Sequence, residues 1–171
     1  LYFTATEKKT GLFWQQSYTL TVSDTSSEGW MVLCDVNGKT RLDMISKITG
    51  KTYLDILKSS GMPELNHPYS IQYAPNSGHS DSPFYLFTAD GATRLSKNSF
   101  VWQKDYDFKY EVAKQTNLKP QSMVCDQSGI MRMIVSDGYA YAASDMGIQE
   151  LFAGVNKQPV LAPAVGANIG A

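Results

Sequence analysis

The sequence predicts an all-β protein whose main part consists of β-propeller-like blades, that is, small antiparallel sheets stacked side by side. The composition favours strands, because the 171 residues include ten Tyr, seven Phe and three Trp, and aromatic residues are enriched in strands. A hairpin signal also recurs at three places, Asn37-Gly38, Asp90-Gly91 and Asp137-Gly138. Recurrence of one supersecondary unit about every 50 residues is typical of propeller blades.

The first 23 residues predict a separate hairpin. Tyr18, Leu20 and Val22 alternate with polar residues, which is the period of two expected for a half-buried strand. The polar stretch 7–11 ends in a glycine and predicts the turn that leads back to an earlier strand. The small, polar stretch 23–29 predicts a boundary between a first unit at 1–23 and a propeller-like region of about three blades at 29–171.

Each recurring unit begins with a run that is apolar at nearly every position, at 31–36, 84–89 and 130–136. A continuously apolar strand predicts burial on both faces, as between neighbouring blades. The Asn-Gly or Asp-Gly that follows favours a type I′ turn, which needs positive φ at both central residues. The turns are 53 and 47 residues apart (37 to 90, then 90 to 137), and the first two are followed by the same x-Thr-Arg-Leu pattern.

The remaining segments complete this prediction. Outer strands are predicted at 69–73, 100–103 and 122–125, and the apolar spacing of 52–61 predicts a short helix or 3₁₀ turn. Three blades cannot close a propeller, which needs at least about four, so an open stack would expose an apolar sheet face. We expect further blades beyond Ala171, or another polypeptide, to cover that face. A second sandwich or an irregular meander is the alternative architecture.

The charge, the first residues and the two cysteines bear on the expected partners, on the extent of the chain and on the state of its thiols. The formal net charge is −1 and no basic run occurs, so nucleic acid is not an expected partner. The absence of an initial Met or signal peptide indicates an internal segment of a longer protein. Cys34 and Cys125 lie in apolar runs and are expected to be buried free thiols, with a disulfide as the alternative.

Several stretches resemble a known family. The run 10–22 is similar to the final strand of a PKD-like, immunoglobulin-type sandwich, and 29–44 resembles the region that follows it in PKD-like outer-membrane lipoproteins. Further similar stretches are 53–57, 64–71 and 109–111. The resemblance covers nearly the whole chain, although its motifs are framework strands and turns, and the lipobox cysteine, most of the PKD-like domain and the later blades are missing.

This resemblance implies a function. Members of that family are encoded beside SusC/SusD-type, TonB-dependent nutrient importers and are anchored to the bacterial outer membrane through a lipidated cysteine. By resemblance, the chain would be part of a cell-surface accessory lipoprotein that helps to capture an oligosaccharide or peptide. It would contact the membrane only through a lipid anchor outside this segment.

Catalytic chemistry finds little support in the sequence. A glycosidase needs two carboxylates held about 5–10 Å apart, and Asp105 and Asp107 fall on one face of a predicted strand. A solvated acidic edge explains them more simply, together with the other candidates, Glu64, Asp81 and Glu111. No nucleophile elbow, phosphate loop or Cys-His arrangement occurs. We therefore expect no enzymatic activity, no catalytic residue and no cofactor.

Metal binding is also not predicted. His67 and His79 are the only histidines, and zinc sites need at least three protein ligands at workable spacing. Both are expected to be surface or loop-capping residues. The loop 76–81 offers a few oxygen atoms for Ca²⁺, but it is not a calcium-binding loop.

Ligand binding through exposed aromatic and polar loop residues is the better-supported hypothesis. Apolar ring faces stack on aromatic side chains while hydroxyls or amides take hydrogen bonds, and propellers present such groups on loops. The residues available for this are Tyr69, Tyr73, Asn76, His79, Trp102 and Tyr106. For each of them, core packing or loop filling is the simpler explanation. The competing functions are a glycoside hydrolase completed by residues outside this segment and a purely structural subunit of a surface complex.

Overall fold

The computed structural model describes residues 2–17, 28–75, 81–97, 99–113, 118–144 and 151–155. Within these ranges the chain is all-β, with several small antiparallel sheets, none of them closed. The N-terminal hairpin pairs β1 (Tyr2–Thr6) with β2 (Phe13–Ser17). Its turn ends at Gly11, which has φ 73°, so the predicted glycine turn is confirmed. Every described residue of this hairpin is exposed.

Three further sheets follow the N-terminal hairpin in chain order. The first sheet contains β3 (Gly29–Val36), β4 (Lys39–Ser46) and β5 (Thr52–Tyr53). The middle sheet contains β6 (Pro68–Tyr73), β7 (Phe84–Thr88) and β8 (Gly91–Leu95). The third sheet contains β9 (Met123–Cys125), β10 (Met131–Ser136), β11 (Tyr139–Ser144) and β12 (Ala153–Gly154), in the order β12-β11-β10-β9. The described residues also form short 3₁₀ helices at Ile56–Ser59, Lys104–Tyr106 and Phe108–Glu111.

Two of the three predicted turns have the expected conformation. Asn37 and Gly38 have φ 53° and 81°, and Asp137 and Gly138 have φ 51° and 79°, as a type I′ turn requires. Positive φ at non-glycine residues is tolerated best by Asn and Asp, whose short polar side chains bond locally.

The turn of the middle sheet differs from its prediction. Thr88 pairs with Gly91, so the two turn residues are Ala89 and Asp90 rather than Asp90 and Gly91. Neither turn residue has positive φ, whereas Gly91 has φ 138° at the start of β8. The turn is therefore shifted by one residue, and it is not of type I′.

The middle sheet is buried between the other two. Alternate residues of its strands point to opposite faces, and each face packs against a different neighbouring sheet. Leu86 and Leu95 face the first sheet, in a cluster with Met31, Leu33 and Leu42. Tyr85 and Phe87 face the third sheet, in a second cluster whose other members include Ile134, Ala143 and Phe152. The three hairpins are thus stacked side by side through two apolar joints.

Several strand predictions are confirmed and others are wrong. β6, β9 and the 3₁₀ helix at Ile56–Ser59 occur where they were predicted. Burial on both faces is confirmed for β7. In β10 one face is buried, but the other carries exposed Met131, and the prediction is wrong for β3, which is mostly exposed. The strand predicted at 100–103 is absent, because Phe100 adopts a left-handed φ of 54° and ends the extended conformation.

Candidate functional site

The turns of the first and middle sheets are joined by the segment 65–67. The Thr40 N–H donates to the Leu65 carbonyl at 2.8 Å, and the His67 N–H donates to the Gly38 carbonyl at 2.9 Å. On the other side, the Ala89 N–H donates to the His67 carbonyl at 3.0 Å. Both turns therefore lie at one end of the stack, and the connecting segment fixes their relative position.

A cleft of about 140 Å³ opens beside this connection. Its apolar surface comes from Trp102, Met62, Leu65, Phe108 and Leu118, and its polar groups come from Asp90, Asp107, Lys109 and Thr93. A concave apolar surface with a few converging polar groups is the usual form of a small-ligand site. Of this cleft and the wider groove described below, it is the one that contains an aromatic side chain.

Trp102 is held in place on two sides. Its backbone N–H donates to the Ser60 carbonyl at 2.8 Å, and its ring Nε1–H donates to Thr93 Oγ1 at 2.8 Å. The ring also packs against the cluster between the first and middle sheets, where it is partly buried. A fixed aromatic ring at the edge of a cleft can stack on a ligand without a further loss of side-chain freedom.

The polar groups of the cleft are also positioned by hydrogen bonds. Asp90 Oδ2 accepts from the backbone N–H and the side-chain amide of Asn66, at 2.7 and 2.8 Å. Asp107 accepts from the Lys109 N–H at 3.1 Å and forms an ion pair with its ammonium group at 3.1 Å. Its hydrogen bond and charge raise the pKa of Lys109 above the ordinary value. Acceptors and a cation are thus available together beside Trp102.

The three other predicted binding residues within the described ranges, Tyr69, Tyr73 and Tyr106, do not line the cleft. Tyr106 is buried, and its hydroxyl donates to Asp81 at 3.0 Å. The pKa of Asp81 is lowered although its burial acts to raise it, and the hydrogen bond from Tyr106 contributes to the lowering. Tyr69 and Tyr73 are half exposed on the edge strand β6, and Tyr73 contacts the Phe84 ring at 5.1 Å between centroids.

Of the four predicted residues that the structure describes, only Trp102 lines the cleft. Asn76 and His79 lie outside the described residues.

A buried charged network between the middle and third sheets was missed by the sequence analysis. Glu111 was expected at a solvated edge, but it is buried together with Arg94 and Arg132. Arg94 Nε lies 2.5 Å from Glu111 Oε1, and the Tyr85 hydroxyl donates to Glu111 Oε2 at 2.8 Å. Arg132 in turn donates to the Tyr85 hydroxyl at 3.1 Å.

The environment of Glu111 has two opposing effects on its charge. Burial raises the pKa of Glu111, while the Arg94 guanidinium acts in the opposite direction. Burial likewise raises the pKa of Tyr85, and the Glu111 carboxylate adds to the effect. The sequence signal that could have indicated this network is the pair of arginines inside strands, because an arginine buried in a sheet requires a carboxylate partner.

Three of the other acidic candidates, Glu64, Asp81 and Asp107, have side-chain partners. Asp105 and Asp107 flank or lie in a 3₁₀ helix rather than a strand, since Lys104–Tyr106 is helical, which corrects their predicted geometry. Glu64 pairs with Lys39. No glycosidase-like pair of unengaged carboxylates emerges from these contacts.

A second, wider groove lies on the other side of the segment 62–65. It has a volume of about 520 Å³ and is lined by residues that include Lys39, Arg41, Lys58, Asp55 and Glu64. Arg41 pairs with Asp43 at 2.9 Å, and Lys39 is engaged by Glu64. Opposite charges are therefore mixed along this groove, and it has no dominant sign.

Other chemistry was searched for in the same residues. Cys34 and Cys125 are free thiols, each half-buried. Among the described residues, no three His, Cys, Asp or Glu side chains are grouped as metal ligands. None of the described helices is long and apolar enough to span a bilayer. No protein-family model, curated protein or solved structure matches this chain.

Proposed function

We propose that this chain is part of a non-enzymatic binding or accessory lipoprotein at the bacterial cell surface, serving an outer-membrane uptake system of the SusC/SusD type. The observation that carries the binding role is the Trp102 cleft, where a fixed aromatic ring lies beside Asp90, Asp107 and Lys109. Its ligand would be an oligosaccharide or a peptide, because both present flat or apolar surfaces together with hydrogen-bonding groups.

The stacked sheets support a propeller-like arrangement for the region 29–171. A connecting segment bonds to neighbouring turns in two places. The segment 65–67 forms hydrogen bonds with the first two turns, and the Lys119 N–H donates to Ser136 Oγ at 3.2 Å, beside the third turn. Repetition of one connection at one end of the stack is what a blade repeat predicts. The cleft opens at that same end, where propellers carry their binding loops.

The test of binding uses isothermal titration of the protein with oligosaccharides and with short peptides. Trp102→Ala should weaken binding at least tenfold, and Lys109→Ala, at a half-buried position outside the two apolar clusters, should weaken it by a smaller factor. Trp14→Ala is the matched control, because Trp14 is an exposed tryptophan on the N-terminal hairpin. Binding that is unaffected by both cleft variants would show that the cleft is not the site.

The test of location is fractionation of cells that express the complete gene product. We expect a lipid-anchored protein in the outer membrane that is recovered with an importer barrel or its lid subunit. Recovery in the cytoplasm without a lipid anchor would overturn the uptake role.

A structural subunit is the second candidate, favoured by the amount of exposed apolar surface. Phe3, Phe13 and Trp14 are all more than half exposed on the N-terminal hairpin, and isolated two-stranded hairpins are marginally stable. A structural subunit would remain bound to a partner and bind no small ligand in the titration. A glycoside hydrolase would instead turn over an oligosaccharide, and an Asp→Asn substitution would abolish that turnover.

A further inference from the structure

The Trp102 cleft is smaller than the sites that usually hold a whole small ligand. Its volume is about 140 Å³, whereas such sites measure about 300–1,000 Å³. The cleft therefore has room for one side chain or one ring beside Trp102. A ligand that binds there must continue outside the cleft.

The wider groove adjoins the cleft. Met62, Pro63 and Leu65 line both of them, so the short segment 62–65 is what separates the two. Pro63 is exposed on this segment, and the groove has a volume of about 520 Å³, which is ordinary for a ligand site. A ligand with one group in the cleft can thus pass over Pro63 and lie in the groove.

The lining of the groove is charged rather than aromatic. None of the described residues that line it is aromatic, so they offer no ring on which a sugar could stack. Lys58 and Asp55 line the groove and form no ion pair with any described residue. Lys39 and Glu64 do pair, but 51% and 68% of their side chains are exposed. Because an exposed pair contributes little stability, its groups can exchange partners with a charged ligand at little cost.

Asp90 favours a ligand that brings positive charge into the cleft. Its carboxylate accepts two hydrogen bonds from Asn66, at 2.7 and 2.8 Å, but Asn66 is uncharged and no described cation pairs with Asp90. The other carboxylate of the cleft, Asp107, is neutralised by Lys109 at 3.1 Å. A ligand that covers Asp90 removes water from it, which costs free energy unless a cation replaces that water. Sugar hydroxyls can donate hydrogen bonds to Asp90 but bring no charge.

We propose that the ligand is a peptide with both acidic and basic side chains, which crosses the segment 62–65 and occupies the cleft and the groove together. This ligand class rests on the binding role proposed above and narrows it from an oligosaccharide or a peptide to a peptide of mixed charge. An apolar side chain lies beside Trp102, a cationic group lies at Asp90, and further charged side chains lie in the groove. An extended peptide suits this arrangement, since it presents successive side chains about 3.3 Å apart along its length.

The experiment measures binding of three pools of probes to the purified chain by affinity selection and isothermal titration. The first pool contains synthetic peptides of about eight residues, up to about 28 Å long when extended, each with one aromatic residue and with Lys and Glu at varied positions. The second pool has Gln in place of Lys and Glu, and the third contains neutral linear oligosaccharides. We expect ligands from the mixed-charge pool to bind at least about tenfold more tightly than any others, and Trp102→Ala to weaken them at least about tenfold.

Asp90→Asn tests the cationic group in the cleft. The change keeps an acceptor for Asn66 but removes the charge, so it should weaken the selected peptides about threefold or more and abolish the preference for Lys. Asp137→Asn is the matched control, because Asp137 is an exposed turn residue of the third sheet that does not line the cleft. It should change neither the affinity nor the preference.

Lys58→Glu tests occupation of the groove. Lys58 is exposed, and the reversal of its charge should weaken the selected peptides about threefold or more and shift the selection towards basic peptides. Lys51→Glu makes the same change in net charge at an exposed position outside the cleft and the groove. It should therefore leave both the affinity and the selection unchanged.

Different results overturn the ligand class and the binding role. Oligosaccharide binding that Trp102→Ala weakens, without peptide binding, would keep the cleft as the site but replace the peptide by a sugar. Equal binding of the neutral and mixed-charge peptides would remove the role of charge. Peptide binding that responds to Trp102→Ala but not to Lys58→Glu would confine the ligand to the cleft. No binding from any pool would overturn the binding role itself.

Discussion

The first and middle sheets share a sequence pattern but use it in opposite ways. Both hairpins contain x-Thr-Arg-Leu after the turn signal, at 39–42 and 92–95. In the first sheet Arg41 lies on the same face as exposed Trp30 and pairs with Asp43. In the middle sheet Arg94 lies on the buried face towards the third sheet and pairs with Glu111. Equivalent letters in the sequence are therefore not equivalent positions in the fold.

The cause is the shift of one turn by a single residue. The first hairpin turns at 37–38, but the middle one turns at 89–90, one residue before its Asp-Gly pair. A one-residue slip of register moves every side chain to the opposite face of a sheet. As a result, Leu42 and Leu95 approach the same apolar cluster from opposite sides. The slip thus gives the joint between the first and middle sheets a leucine from each sheet.

The largest expected effect separates the buried ion pair of Arg94 and Glu111 from the exposed ion pair of Lys39 and Glu64. Glu111→Leu should lower the free energy of unfolding by about 3–5 kcal/mol, because it leaves buried arginine charge without its carboxylate. Glu64→Leu removes the partner of exposed Lys39 and should cost at most about 1 kcal/mol. Denaturant unfolding of both variants gives the comparison, and similar losses in the two would contradict the assigned difference in burial.

The next effect compares the loss of stability at a buried position of the middle sheet with the loss at an exposed position of the first sheet. Leu86→Ala removes a fully buried side chain of the middle sheet and should cost about 2–5 kcal/mol. Val32→Ala, on the exposed face of β3 that also carries Trp30, should cost less than about 1 kcal/mol, since Val32 is already partly exposed. Thermal unfolding is the suitable measurement, and an equal loss at the two positions would contradict the difference in burial between Leu86 and Val32.

The third effect is the dependence of stability on pH through Asp43. The pKa of Asp43 is lowered. Burial acts to raise it, but hydrogen bonds from the Asp55 N–H and Arg41 lower it by more. Its contribution of about 1–3 kcal/mol is therefore present above the ordinary carboxyl pKa and is lost as the pH falls through the lowered value.

Asp43→Asn should remove that dependence, which unfolding measured between neutral and acidic pH can show. The raised pKa of Glu111 contributes with the opposite sign, since that contribution declines as the pH rises. The difference between the unmodified chain and Asp43→Asn therefore isolates the effect of Asp43. A difference that does not change with pH would contradict the role given to Asp43.

The smallest effect concerns the two kinds of turn. Asn37→Ala places a residue with a Cβ and no local hydrogen bond at φ 53° and should cost about 1 kcal/mol. Asn is not required at Ala89, whose φ is negative, so Ala89→Asn should change stability by less than about 0.5 kcal/mol. Chemical denaturation resolves this difference, and a larger loss at position 89 would contradict the shifted turn.

Much of the fold could be predicted because it depends on local chemistry. Asn37-Gly38 and Asp137-Gly138 specify their own turns, because these residue types tolerate the positive φ that the turns require. The continuously apolar run of β7 likewise predicted a strand that is buried on both faces. The site was harder to predict, because an aromatic residue in a loop has the same sequence signal whether it is buried, as Tyr106 is, or lines a cleft, as Trp102 does. That distinction depends on which distant segments pack around the ring.

By itself the sequence determined the all-β fold class, since turn residues and strand-favouring composition act over a few neighbouring residues. Tertiary structure alone decided the register of the middle turn, the burial of Glu111 between two arginines and the exposure of the β3 face. The physical reason is that a side chain's face and its partners are set by contacts between segments far apart in the chain. Arg41 and Arg94 have the same neighbours in sequence, and only the packing of whole sheets places one beside solvent and the other in the core.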